Sequence, residues 1–75
     1  MMLKVVDDDG KNRVKDILDL NLDMSVEQGI DAVYTVRLNS CYVLKETFES
    51  QEEAEAQMFY LADVRNDLED SLWRF

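Results

Sequence analysis

Hydrophobic and polar residues alternate over most of the first two thirds of this chain, then switch to a helical period in the last third. Met2 to Val6 reads as a short strand, closed by Asp7-Asp8-Asp9-Gly10. There an aspartate can bond its own backbone and the glycine can supply a positive φ. Leu18, Leu20, Leu22 and Met24 alternate with Asp19, Asn21 and Asp23, so a strand is expected over about 13–23. Val14, Ile17 and Leu18 fall at helical spacing, but four alternations outweigh one such triplet. Ser25 to Gly29 reads as a loop, with one helical turn as the alternative. Ile30, Ala32, Tyr34, Val36 and Leu38 then form the best strand pattern in the chain, rich in β-branched and aromatic types. Asn39-Ser40 breaks it, and Cys41 to Phe48 forms the next strand.

The turn between the last two strands follows from which residues must share a face. Tyr42, Leu44 and Phe48 are even-numbered, as are the apolar residues of the preceding strand. Opposed residues of an antiparallel pair lie on the same face. A two-residue loop would set Leu38 opposite Cys41 and put the two apolar sets on opposite faces. A three-residue loop, Asn39-Ser40-Cys41, pairs Leu38 with Tyr42, Val36 with Leu44 and Ala32 with Phe48. It leaves Tyr34 facing Glu46.

Ser50 opens a helix expected to run to residue 75. Ser50-Gln51-Glu52-Glu53 is a capping box, in which the serine oxygen accepts from the Glu53 amide while Glu53 reaches back to the Ser50 amide. Ala54, Met58, Leu61, Arg65, Leu68, Leu72 and Phe75 recur at alternating spacings of four and three. Phe59, Ala62 and Val64 widen that stripe to the width of a core-facing surface.

These elements define the expected fold class. It is α+β, one domain over 1–75, with an antiparallel sheet of three to four strands (1–49) covered on one face by a long C-terminal helix (50–75), in the order β-β-β-β-α. The composition allows it. With 47% hydrophobic residues, two Gly and no Pro in 75 residues, the chain can bury enough apolar surface to offset its ordering entropy. A chain this short still buries only about 60% of the surface its unfolded form exposes. No apolar run approaches membrane-spanning length and no export signal opens the chain, so it reads as cytoplasmic.

Chemistry is sparse. The chain has no His and one Cys, which excludes a disulfide within the chain, a structural zinc site and a histidine-activated cysteine nucleophile. Aligning Gly10 with the invariant glycine of a calcium loop puts Val5 at the first ligand position and Asp16 at the twelfth, so that pattern fails. No phosphate-binding glycine loop or nucleophile elbow is present. The reading is a protein that is not an enzyme and takes no cofactor or metal.

What remains is the surface. Eight basic and 17 acidic residues give a net charge of −9, which disfavours direct binding to nucleic acid or to anionic membrane and favours a basic protein surface. Residues 41–75 hold nine acids against three bases, and residues 1–40 eight against five. Asp63, Asp67 and Asp70 share one helix face, with Glu53 extending the line, and Tyr60 and Trp73 are aromatic anchors of the kind interfaces prefer. A row of carboxylates can imitate a phosphate track. The expected function is therefore a protein-binding inhibitor or modulator of a basic, nucleic-acid-handling partner. Its size and acidity are similar to those of many phage-encoded or mobile-element inhibitors, a likeness of composition without a shared motif. The alternative is a self-associating assembly protein, a homodimer through the outer sheet face around Val33 and Val43 or through the helix.

Overall fold

The computed structural model of the chain describes residues 1–73 and, at Trp73, the backbone alone. Five strands precede one helix: β1 (Met2–Asp7), β2 (Asn12–Asp16), β3 (Ser25–Gln28), β4 (Tyr34–Arg37), β5 (Tyr42–Phe48) and α1 (Gln51–Trp73). All neighbours are antiparallel, in the order β2-β1-β5-β4-β3. The α+β class with a C-terminal helix holds, and the sheet has five strands where three to four were expected.

The β1–β2 turn is built around one carboxylate. Asp7 Oδ1 accepts from the amides of Asp9 and Lys11, both at 3.0 Å, and Asp7 Oδ2 pairs with the Arg13 guanidinium. Gly10 sits at φ +79° and its amide donates to the Asp7 carbonyl at 3.0 Å, the left-handed position that glycine takes without strain.

The expected strand over 13–23 is corrected after Asp16. Strands β2 and β3 follow one another in sequence but form opposite edges of the sheet. Four gaps of ~4.8 Å separate them, about 19 Å, and eight extended residues reach at most ~26–29 Å. Residues 17–24 must therefore cross the sheet instead of pairing with it. They do so through a 3-10 turn at Ile17–Asp19, capped by Asp16, whose side chain accepts from the Leu18 amide at 3.0 Å. Ile17 and Leu20 are buried, and Leu18, Leu22 and Met24 pack against the core. The alternation is real. It marks a crossing segment with one face inward, which periodicity alone does not distinguish from a strand.

Ser25–Gln28, read as a loop, is the edge strand β3. Its Val26 stands opposite Val36, and Glu27 pairs with Arg37 at 2.6 Å. In compensation, the strand expected from Ile30 begins only at Tyr34. Residues Ile30–Ala32 form the hairpin tip instead, with the Gly29 amide donating to the Val33 carbonyl at 2.7 Å. Asp31 and Ala32 both hold positive φ, +63° and +59°, and Ile30 is 85% exposed.

The β4–β5 turn has the three-residue loop that the apolar faces demand. The Leu38 amide donates to the Tyr42 carbonyl at 2.9 Å, Arg37 stands opposite Val43, and Asn39 Oδ1 accepts from the Cys41 and Tyr42 amides. Further along, a bulge places Thr35 opposite Thr47 and Tyr34 opposite Phe48. The expected pairing of Ala32 with Phe48 is thus corrected by two residues. An even shift keeps every side chain on its face and replaces the unfavourable Tyr34–Glu46 contact with an aromatic pair.

The core lies on one side of the sheet. Leu3, Val5, Val36, Leu38 and Leu44 meet Ile17 and Leu20 from the crossing segment and Ala54 and Leu61 from α1. The helix packs over β3, β4, β5 and the first 3-10 turn. Towards β2 the lysine stem of Lys15 extends the cover, with its ammonium 5.5 Å from the centre of the Tyr42 ring. Ser50 caps α1 by accepting from the Glu53 amide at 3.2 Å; the Glu53 carboxylate turns back to the Glu49 amide at 3.3 Å rather than to that of Ser50.

Candidate interaction surface

The side of α1 turned away from the sheet is set by helical geometry. With Ala54, Met58, Leu61, Arg65 and Leu68 inward, Ala56, Tyr60, Asp63, Asp67 and Asp70 fall on the opposite side at spacings of four, three, four and three. All five are exposed, and Glu53 is exposed near the start of the same face. The structure therefore gathers Glu53, Tyr60, Asp63, Asp67 and Asp70 along one outward stripe. From Glu53 to Asp70 it runs about 26 Å at ~1.5 Å per residue. The Trp73 side chain and Phe75 lie outside the described residues.

Phe59 and Leu72 are corrected. Both were read as part of the inward stripe, yet Phe59 is 62% exposed, beside Tyr60 at 54%, and Leu72 is also exposed. Phe59 is about 120° around the helix from Arg65, the centre of the inward stripe, which places it on the flank. A count of angles, rather than of spacings to its nearest apolar neighbours, finds it. Leu72 has the correct angle and fails for lack of sheet beneath it, since α1 is about 34 Å long. Phe59 and Tyr60 together form an apolar patch one turn before Asp63.

The described body is thin, measuring 46 × 27 × 16 Å. Helix α1 carries seven acids and one base, Arg65, which is half-buried and paired with Glu69 at 2.9 Å. Six of the eight cations precede the helix, as do ten of the 17 acids. On the outer sheet face, Val14 is opposite Lys4, Val6 opposite Val43, Arg37 opposite Val43 and Thr35 opposite Thr47. Val43 is thus on this face as the sequence implied, while Val33 falls in the link before β4.

Among ionisable groups, Asp7 and Arg13 move each other. The Arg13 hydrogen bond, aided by the Lys11 amide, holds the Asp7 carboxyl below the usual carboxylate value, and Asp7 raises Arg13 in return. Cys41 is exposed at the β4–β5 turn, 3.8 Å from the Ser40 hydroxyl. Among the described residues no group of three or more acidic or thiol side chains is arranged to hold a metal ion, and no helix is long and apolar enough to cross a membrane.

The fold and surface define a one-sided α+β sheet whose helix presents an aromatic-acidic stripe outward. No protein-family model, no curated protein and no solved structure matches this chain.

Proposed function

We propose that the chain is a non-catalytic binding module that seats the outward face of α1 on a basic protein surface. Such a surface is characteristic of nucleic-acid-handling proteins, whose activity the module would block or modulate by occupying the groove meant for phosphates. The observation that carries this reading is the juxtaposition of exposed Phe59 and Tyr60 with Asp63, Asp67 and Asp70 on one rigid face. Aromatic side chains are favoured interface anchors, and charged neighbours steer encounter and fix orientation.

Stability does not account for this stripe. Asp is a poor helix former. The last turns of a helix favour cations, and α1 has no basic residue in its last described turn. Asp63 and Asp67 therefore lower the propensity of the helix that holds them, and exposed aromatic rings gain nothing from water. Residues that oppose local stability point to selection for something else.

The test is a charge reversal, Asp63→Lys, Asp67→Lys and Asp70→Lys together, applied to a partner captured at low salt and released at high salt. Association is expected to slow on the order of ten- to a hundredfold. The variant should melt no lower than the parent, because lysine suits the helix C-terminus. An unchanged association rate would sink the reading.

A further inference from the structure

Lys4 and Lys45 form the least expected pairing on the outer sheet face. Continuing the β1–β5 register one residue beyond Val5 and Leu44 makes them cross-strand neighbours, and both border the same two shallow depressions in the sheet. Among the described residues neither ammonium has a carboxylate within ion-pairing distance. Like charges on adjacent strands cost stability, and this chain has 17 acids available to relieve them. Around the two lysines the face is open, with Met2 61% and Val14 58% exposed beside Asn12, Arg13, Glu46 and Thr47.

The outward face of α1 has the reciprocal pattern. Asp63 and Asp67 are separated by about 6 Å along the helix, close to the ~5 Å between neighbouring strands that separates the two lysines. Phe59 and Tyr60 supply apolar groups of the size that Met2 and Val14 would receive. The two faces lie on opposite sides of a body 16 Å thick, so one copy cannot satisfy itself.

We propose that the occupant of the outer sheet face is a second copy of this chain, docked head to tail by its outward helix face onto Lys4, Lys45, Met2 and Val14. This rests on the proposed role of that helix face and adds a partner for it. Symmetric alternatives are unfavourable, since sheet on sheet gathers four lysines and helix on helix opposes two aspartate rows. A contact between unlike faces propagates, so the product is an open stack and not a closed dimer. The broad side measures 46 × 27 Å, and overlap of about half of it buries roughly 600 Å² per copy, or ~1,200 Å² in total, the lower end for specific interfaces. Association is therefore weak and concentration-dependent.

The experiment is sedimentation equilibrium of three purified chains: the parent, Lys4→Glu/Lys45→Glu, and Asp63→Lys/Asp67→Lys, each verified as folded by circular dichroism. The parent should show about a twofold rise in weight-average mass between low-micromolar and several-hundred-micromolar concentration, in the range a small interface allows. Each variant alone should remain monomeric. Their equimolar mixture should regain association, because acidic sheet then meets basic helix and the reverse. A monomeric parent, a variant that still associates by itself, or a mixture that stays monomeric overturns the stacking. None of these results bears on capture of a different basic partner by the parent, which the triple reversal measures separately.

Discussion

Ala32 holds a backbone angle that its own side chain opposes. Its φ is +59°, next to Asp31 at +63°, at the tip of the β3–β4 hairpin. A residue with a Cβ in the left-handed region costs ~1–2 kcal/mol, because the Cβ crowds the following carbonyl. Aspartate tolerates this better than most, since its short polar side chain can bond locally, but alanine has no such recourse. Ala32 is exposed, so Ala32→Gly removes no packing. Glycine gives back ~0.4–1 kcal/mol through the greater freedom of the unfolded chain. The net expectation is a stabilisation of about 0.5–1 kcal/mol, read as a rise in Tm of roughly 2–8 °C for a domain of this size. Thermal and urea melts followed by circular dichroism measure it. The matched control is Ala56→Gly, on the exposed face of α1, where the same atoms are removed from a helix interior and ~1 kcal/mol should be lost. Opposite signs for one chemical change separate backbone strain from side-chain loss. A Tm for Ala32→Gly at or below the parent's would refute the strain argument.

Leu61 is fully buried between α1 and the sheet, and Leu61→Ala should cost ~2–5 kcal/mol in urea denaturation. Total stability at 75 residues is about 4–11 kcal/mol, so this one change should leave a measurable unfolded fraction. Ser50→Ala removes the acceptor for the Glu53 amide and should cost about 1 kcal/mol, with a matching loss of helical signal near residue 51. For Asp7 the sign follows from its lowered folded value, caused chiefly by the Arg13 hydrogen bond. Its contribution is present above the unfolded-state pKa, near 3.8, and is lost as pH falls through the depressed folded value. A plot of Tm between about pH 2 and pH 6 should therefore flatten at its acid end in Asp7→Asn.

The sequence resolved side-chain faces better than it resolved pairing. Even-numbered apolar residues on β4 and β5 determined the three-residue turn, and the turn formed as deduced even though a bulge followed it. The helix was readable for a similar reason, since Ser50, Glu53 and a long period-3.6 stripe agree with one another. The crossing segment was not readable, because residues 17–24 alternate only to keep one face on the core, and the order β2-β1-β5-β4-β3 that forces the crossing is a property of the whole sheet. β3 was missed for the converse reason: Ser25-Val26-Glu27-Gln28 has one inward apolar residue, and an edge strand so short is held by its neighbour's backbone and the Glu27–Arg37 pair more than by its own pattern. Of the outward stripe, the acids and Tyr60 followed from spacing, whereas Phe59 required angle. The lysine pair on the sheet depended on register between β1 and β5, strands some 40 residues apart, and was beyond any local pattern.

A chain this small has little stability to spare, and the way it uses surface is informative for that reason. Its core needs the helix only from Ala54 to Leu68, where side chains reach the sheet or the crossing segment. Beyond Leu68 the helix continues to Trp73 with Leu72 exposed, a length its packing on the sheet does not use. On the other side of the body, two lysines stand together while acids abound elsewhere. Each feature costs something in the isolated chain, and each loses that cost when a surface of complementary shape and charge is brought against it. Solubility would explain an acidic surface with its charges dispersed. It does not explain why two lysines stand side by side on the outer sheet face, or why an aromatic pair is left uncovered on the helix that carries Asp63 and Asp67.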